Sequence, residues 1–223
     1  MRKLKGVYKM KVHEIFQSIS GEIGVIPQGA ISWFIRFQGC NLRCHWCDAK
    51  ITQNINKTLP NTSPKEIAEN ITYKANVIIT GGEPLLQPKN ELIELVNLLK
   101  EKECLIQIET NGTINQFIPV CHIFDYKLQS SGSSPTNGLP QYITDPLYKN
   151  WIKFVVINKK DIKQAIHMLG LMIEKEIFHH INISLGIANK KMYLEAMKQL
   201  SGTKIPLQHI VFNTQIHKFL KLR

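Results

Sequence analysis

Short apolar runs alternate along this chain with longer stretches in which apolar residues recur at helical spacing. The runs Trp33–Phe37, Val77–Thr80, Leu105–Glu109, His122–Lys127, Ile152–Ile157, Ile181–Leu185 and His209–Phe212 predict strands. Among them VIIT and KFVVI are almost continuously apolar, the pattern of strands covered on both faces. Helices are predicted over Pro64–Ala75, Asn90–Lys102, Asp161–Lys175 and Lys190–Leu200. Ser63 offers the first of these an N-cap and Pro64 its first helical residue. In the second, Leu92, Leu95, Val96 and Leu99 form one apolar stripe. Alternating strands and helices predict a parallel sheet with right-handed crossovers. The chain has 223 residues, and a complete eightfold barrel typically takes about 250. The expected fold is therefore α/β, a trimmed, open partial (β/α)6-type barrel of about six units, with residues 1–223 as a single domain. No internal repeat is visible. Gln129–Asn150, rich in Ser, Gly and Pro, predicts a long loop.

Composition narrows the class. Apolar residues make up 43% of the chain, yet none of the runs approaches the ~18 residues of a membrane span. The basic opening MRKLKGVYKMKVHEIF lacks the apolar stretch of a secretory signal, so the expected compartment is the cytoplasm. The net charge is +11, but Lys3, Lys5, Lys9, Lys100, Lys102, Lys159, Lys160 and Lys163 are scattered. They read as solvated faces, without the tract of a nucleic-acid binder. Five cysteines, three of them within eight residues, do not make a disulfide framework. In a reducing compartment such a cluster reads as a metal or iron–sulfur site.

The clustered segment is Gly39-Cys40-Asn41-Leu42-Arg43-Cys44-His45-Trp46-Cys47-Asp48, directly after the strand WFIRF. Cys40, Cys44 and Cys47 can hold three irons of a cubane, leaving the fourth open to an outside ligand. The alternative is zinc with His45 as fourth ligand, although Cys44 and His45 are adjacent and poorly placed to share one tetrahedral ion. Val77-Ile78-Ile79-Thr80-Gly81-Gly82-Glu83-Pro84-Leu85 ends the next strand in two glycines, which permit close backbone approach.

The Cys-x3-Cys-x2-Cys loop with Trp46-Cys47, together with Gly81-Gly82-Glu83-Pro84, resembles the radical S-adenosylmethionine (SAM) superfamily. The resemblance implies a 4Fe–4S cluster on the three cysteines and SAM chelating the open iron, with reductive cleavage to a 5′-deoxyadenosyl radical. Further segments narrow it. Val12-His13-Glu14-Ile15-Phe16-Gln17-Ser18-Ile19-Ser20-Gly21-Glu22, Ile35-Arg36-Phe37-Gln38-Gly39-Cys40, Ile108-Glu109-Thr110-Asn111-Gly112-Thr113 and Gln215-Ile216-His217-Lys218 are similar to segments of the 7-carboxy-7-deazaguanine synthases. That likeness runs over essentially the whole chain. It implies conversion of 6-carboxy-5,6,7,8-tetrahydropterin to 7-carboxy-7-deazaguanine and ammonia, on the route to deazaguanine-modified tRNA nucleosides such as queuosine and archaeosine.

By the same resemblance, Trp46, Asp48, Gly82, Glu83, Asn111, Lys127 and Ser184 are expected around SAM, and Ile19, Ser20, Gly21, Glu22, Arg36 and Thr80 around the pterin. Glu22 suits the guanidine-like edge of a pterin, and Arg36 is a fork for a carboxylate or carbonyl. His217 and Lys218 suit either packing or ligand contact. The family also implies Mg2+ held by a Ser or Thr at the position of Ala49, which leaves Asp48 and Thr52 as candidate ligands here. Asp125-Tyr126-Lys127 stands where Ser-Pro-Lys is common, and Ser130-Ser131-Gly132 resembles a variant subgroup. A homodimer and an electron donor such as flavodoxin or ferredoxin are implied, with neither nucleic acid nor membrane as a direct partner. The alternative within the superfamily is a glycyl-radical-enzyme activase, whose cysteine loop is also C-N-L-R-C-x-W-C.

Overall fold

The computed structural model describes residues 10–133, 140–187 and 189–214, with Ile216 and Leu220. Gln215, His217 and Lys218 lie outside the described residues. Eight strands form one sheet in chain order: β1 (Val12–Ile19), β2 (Ile31–Phe37), β3 (Asn76–Gly81), β4 (Leu105–Thr110), β5 (Cys121–Tyr126), β6 (Trp151–Val156), β7 (Asn182–Ile187) and β8 (Ile210–Asn213). β1 runs antiparallel to β2, and each later neighbour pair is parallel. β1 and β8 are the edges, so the sheet stays open, as expected.

Helices α1 (Pro64–Glu69), α2 (Lys89–Glu101), α3 (Lys159–Glu174) and α4 (Lys190–Ser201) fill four crossovers. The crossovers from β4 to β5 and from β5 to β6 contain no α-helix among the described residues, which is where the barrel is trimmed. α1 has the expected Ser63 capping box and Pro64 start but stops well short of Ala75. Its end is capped from outside: Lys102 Nζ donates to the carbonyls of Ala68 and Ile71 at 2.7 and 2.6 Å. Lys74 then takes a left-handed φ of 55° that ends any continuation.

Period-2 alternation assigns the two faces of the sheet. Ile35, Phe37, Val77, Ile79, Ile106 and Ile108 pack with α1 and α2 in one core. Phe124, Ile152, Phe154, Ile183 and Leu185 pack with α3 and α4 in a second. The residues between them therefore face the other, concave side: Arg36, Thr80, Glu109, Asp125, Lys153 and Ser184. β1, a motif segment in the sequence, is a strand that extends this face. Its Glu14 stands opposite Arg36, and its Phe16 stacks on Phe34 with ring centroids 5.1 Å apart. The expected loop after Gln129 is partly ordered by 3-10 turns at Gln129–Ser131 and Gln141–Thr144.

Candidate active site

Cys40, Cys44 and Cys47 line one cavity at the C-terminal ends of the parallel strands. The cysteine loop is spliced to the turn after β3 through main-chain bonds. Gly82 N donates to Phe37 O at 3.0 Å and Glu83 N to Gly39 O at 2.8 Å. A Cβ on Gly82 would collide with the Gly39 carbonyl, and Gly81 sits at φ 129°, so both glycines are required by this close approach. Burial, the Glu83 charge and the neighbouring thiolates of Cys44 and Cys47 push the Cys40 thiol up, while the Leu42 N–H opposes them. A bound iron removes that penalty by replacing the proton.

His45 does not turn toward the thiols. Its ring packs where a side chain on Gly132 would be, its main-chain N–H donates to Ser131 O at 2.8 Å, and it is absent from the cavity lining. The zinc alternative therefore loses its fourth ligand, whereas three thiols on one cavity suit a cubane with an open iron. Behind the loop, Ser133 Oγ lies 3.3 Å from Cys44 Sγ. The Ser131–Ser133 segment thus backs the cysteine loop, a role its sequence signals only through the Ser-Ser-Gly variant.

Glu83 differs from the expectation of a SAM contact. It is fully buried and outside the cavity lining. Its Oε1 accepts Thr110 Oγ1 at 2.7 Å and Leu85 N at 3.0 Å, and its Oε2 accepts Asn111 N at 2.7 Å. It is a brace between the glycine turn and the end of β4. Asn111 does line the cavity, with Nδ2 3.0 Å from Asn41 Oδ1 and 3.9 Å from Cys40 Sγ.

A charged network crosses the concave floor. Lys153 Nζ is 3.0 Å from Glu22 Oε2 and 2.9 Å from Asp125 Oδ2, and Asp125 Oδ2 is 2.8 Å from Lys127 Nζ. Lys127 Nζ sits 4.9 Å from the centroid of the Trp46 ring, a cation–π contact beside Cys47. Burial alone would raise the Asp125 carboxyl, but the two lysines hold it below its usual range. Burial works against the Lys153 ammonium, and Asp125, Glu22 and Glu109 keep it charged well above the usual lysine range. Glu109 accepts Thr80 Oγ1 at 3.1 Å. Burial and the Glu22 charge push its carboxyl up to about 7, against Lys153 and the Thr80 hydroxyl. Asp125 Oδ1 and Trp46 Nε1, both of cavity-lining residues, are buried without a hydrogen-bond partner among the described residues, as a site built for a polar ligand requires.

The remaining expected residues divide. Asp48, Gly82, Lys127, Glu22 and Thr80 line the cavity. Ile19, Ser20, Gly21, Arg36 and Ser184 do not. Ser20 Oγ donates to Glu22 O at 2.8 Å and so shapes the loop that carries Glu22. Gly21 O accepts Gln28 Nε2, and Ile19 closes the β1–β2 pairing opposite Ile31. Arg36 pairs with Glu14 and lies over the Phe16 ring, with Nε left unpartnered. Ser184 is fully buried beside Lys153 with an unpartnered Oγ. Of the magnesium candidates, Thr52 is fully buried, lies outside the cavity lining and donates its hydroxyl to Ala49 O at 2.7 Å. Asp48 is left as the oxygen donor beside Ala49 on the cavity wall.

Sequence reasoning passed over Lys153 and treated Asp125 only as a departure. A lysine inside the apolar run of β6 was the available signal, since a charge at such a position needs a partner.

A profile of the radical SAM superfamily matches residues 34–123. The chain is 33% identical to a 7-carboxy-7-deazaguanine synthase of Clostridium acetobutylicum, over 94% of this chain and 95% of that protein. It belongs to the 7-carboxy-7-deazaguanine synthase family. A synthase of Methanospirillum hungatei is 31% identical over 96% of this chain and 86% of its own length. The crystal structure of QueE from Escherichia coli superposes with a TM-score of 0.68 at 23% identity, covering 93% of this chain and 94% of that one, which supports the fold. Near-full-length matches to synthases favour this family over the glycyl-radical activases. Membership in the radical SAM superfamily implies the 4Fe–4S cluster and SAM, and the three thiols on one cavity fit them.

Proposed function

We propose that this chain is a radical SAM enzyme that contracts 6-carboxy-5,6,7,8-tetrahydropterin to 7-carboxy-7-deazaguanine with release of ammonia, supplying 7-deazapurine biosynthesis. The observation that carries the reading is one cavity that joins three thiols on one wall to a buried floor of alternating carboxylates and ammonium groups. A hydride- or acyl-transfer site needs no such thiol triad, and a redox carrier needs no such polar floor. Cys40, Cys44 and Cys47 hold the cluster, which with SAM supplies a carbon radical able to take hydrogen from an unactivated C–H bond.

The protein's own part is binding, orientation and charge. Trp46, Asp48, Gly82, Asn111 and Lys127 surround SAM, and Glu83 acts by bracing Asn111. Ser184 offers its free Oγ from the adjoining floor. Glu22, Thr80 and Glu109 face the pterin, where the Glu22 side chain accepts hydrogen bonds from the guanidine-like edge. Arg36, with a free Nε, adds a donor at the rim. Ile19, Ser20 and Gly21 form the turn that presents Glu22. Magnesium would take Asp48, waters and the substrate carboxylate, since it tolerates a mostly aqueous shell; no step proposed here depends on it.

The continuous sheet supports reading residues 1–223 as one radical SAM domain. Among the described residues no helix is long and apolar enough to cross a membrane. A cytoplasmic location, a homodimeric assembly and a flavodoxin or ferredoxin as reductant complete the proposal. The test is anaerobic turnover of the carboxy-tetrahydropterin with SAM and a reductant by the reconstituted protein. Formation of 7-carboxy-7-deazaguanine is expected; SAM cleavage without ring contraction would refute the substrate.

A further inference from the structure

The side chain of Lys153 is 8% exposed, at the centre of β6, between Trp151 and Val155 on the same face. An ammonium in that position keeps its charge only through close anionic partners. It has two within 3.0 Å, and they come from different elements. Asp125 is its register partner on β5, whereas Glu22 arrives on the loop between β1 and β2. Glu22 is therefore a loop-borne carboxylate gripped by a strand-borne cation. Loops hold side chains less rigidly than strands do, so the strand residue sets the geometry.

We propose that Lys153 is a positioning residue of the substrate site, which holds the Glu22 carboxylate aimed into the cavity while Asp125 anchors the lysine from the neighbouring strand. The inference rests on the pterin reading of that cavity. Its consequence is electrostatic as well as geometric. The charged groups around Lys153 and its partners are Glu22, Glu109, Asp125, Lys127 and Asp48. Removing the Lys153 charge leaves the Glu22 and Glu109 carboxylates facing one another in a buried space without their shared cation. The site must then take up a proton, and a carboxyl that carries a proton on the wrong oxygen no longer accepts both donors of a guanidine-like edge.

The experiment measures equilibrium binding of the carboxy-tetrahydropterin and, separately, of SAM to anaerobically reconstituted protein. It compares the wild type, Lys153→Met, Lys153→Arg, Glu22→Gln and the Glu22→Gln/Lys153→Met double variant between about pH 6 and pH 8.5. Lys153→Met should weaken pterin binding about tenfold or more while SAM affinity and iron content stay near wild type. Its pterin affinity should change more steeply with pH than that of the wild type, in which Glu109 already titrates near 7, and Lys153→Arg should recover much of the loss. Because the lysine acts through Glu22, the double variant should lose little more than the worse single variant. That pair removes the Glu22 charge together with its cation, so it stays informative where Lys153→Met folds poorly. Wild-type pterin affinity in Lys153→Met overturns the inference alone. So does a parallel loss of pterin, SAM and iron, or additive losses in the double variant. A wild-type protein that binds no pterin overturns the substrate reading and this inference with it.

Discussion

Glu83 accepts the main-chain N–H of Asn111 at 2.7 Å and so ties the turn after β3 to the end of β4. The two residues sit on neighbouring strand ends that both border the cavity, yet Glu83 faces inward and Asn111 outward. Glu83→Ala strands three buried donors, on Thr110, Leu85 and Asn111, and should cost on the order of 3 kcal/mol or more of stability. Glu83→Gln keeps one acceptor oxygen and should cost less. In both, stability in urea and SAM affinity should fall together, because Asn111 moves with the brace. A Glu83→Gln protein of unchanged stability that no longer binds SAM would show direct contact instead.

Four of the five thiols should behave as two groups. Cys40, Cys44 and Cys47 share the cavity, whereas burial pushes the Cys121 thiol up to about 12, where it neither ligates nor reacts readily. Anaerobic reconstitution of Cys121→Ala should therefore reach wild-type iron content, about four per chain. Cys44→Ala should lose SAM cleavage and most of its iron. Iron and cleavage that persist in Cys44→Ala would remove Cys44 from the ligand set.

The limits of sequence reading follow from particular residues. The apolar stripe of α2, the Ser63 cap and the VIIT strand are local patterns, and each stands where periodicity puts it. α1 ends early because Lys102, remote in sequence, caps it. The family resemblance identified which residue types border the site but not which of their atoms are engaged within the protein. Glu83 and Thr52 have the right chemistry for ligands, and both are occupied by internal hydrogen bonds. Lys153 was hidden for the opposite reason. Its strand is apolar apart from the lysine itself, and its partner Glu22 is distant in the chain and adjacent only in the fold.

His122 should make the protein acid-labile. It is fully buried against Phe124 and Tyr142, with ring centroids 5.5 and 5.3 Å away, and burial lowers its titration from 6.5 to about 4. Between those values the unfolded chain binds more protons than the folded one, so stability is present above the window and is lost as pH falls through it. Glu109 acts in the opposite sense. Its carboxyl is raised from 4.5 to about 7, so its contribution falls as pH rises across that range. Comparing His122→Phe with the wild type in the same cluster state isolates the histidine. Between pH 7 and pH 4.5 the stability difference should shift toward the variant by about 2 kcal/mol. A pH-independent difference in urea midpoint would mean that His122 protonates without penalty.

The metal question turns on Ala49. Its side chain has no donor, and its carbonyl already accepts Thr52 N at 2.9 Å and Thr52 Oγ1 at 2.7 Å. Neither atom is free to serve magnesium, and Thr52 cannot turn outward without breaking that pair. Asp48 remains as a fixed oxygen donor on the same wall, next to Glu109, whose titration its charge also raises. Magnesium readily completes its six oxygen ligands with water. Losing one hydroxyl therefore weakens the anchor without abolishing binding. Ala49→Thr restores that hydroxyl at the cavity wall and should lower the magnesium concentration for half-maximal turnover, by about three- to tenfold if one hydroxyl replaces one ordered water. Calorimetric titration of magnesium into the substrate complex should show the same direction. Equal half-saturation in the two proteins would mean that Asp48 and the substrate already complete the site. No magnesium response in either would mean that Lys127 and Lys153 supply the positive charge without a metal.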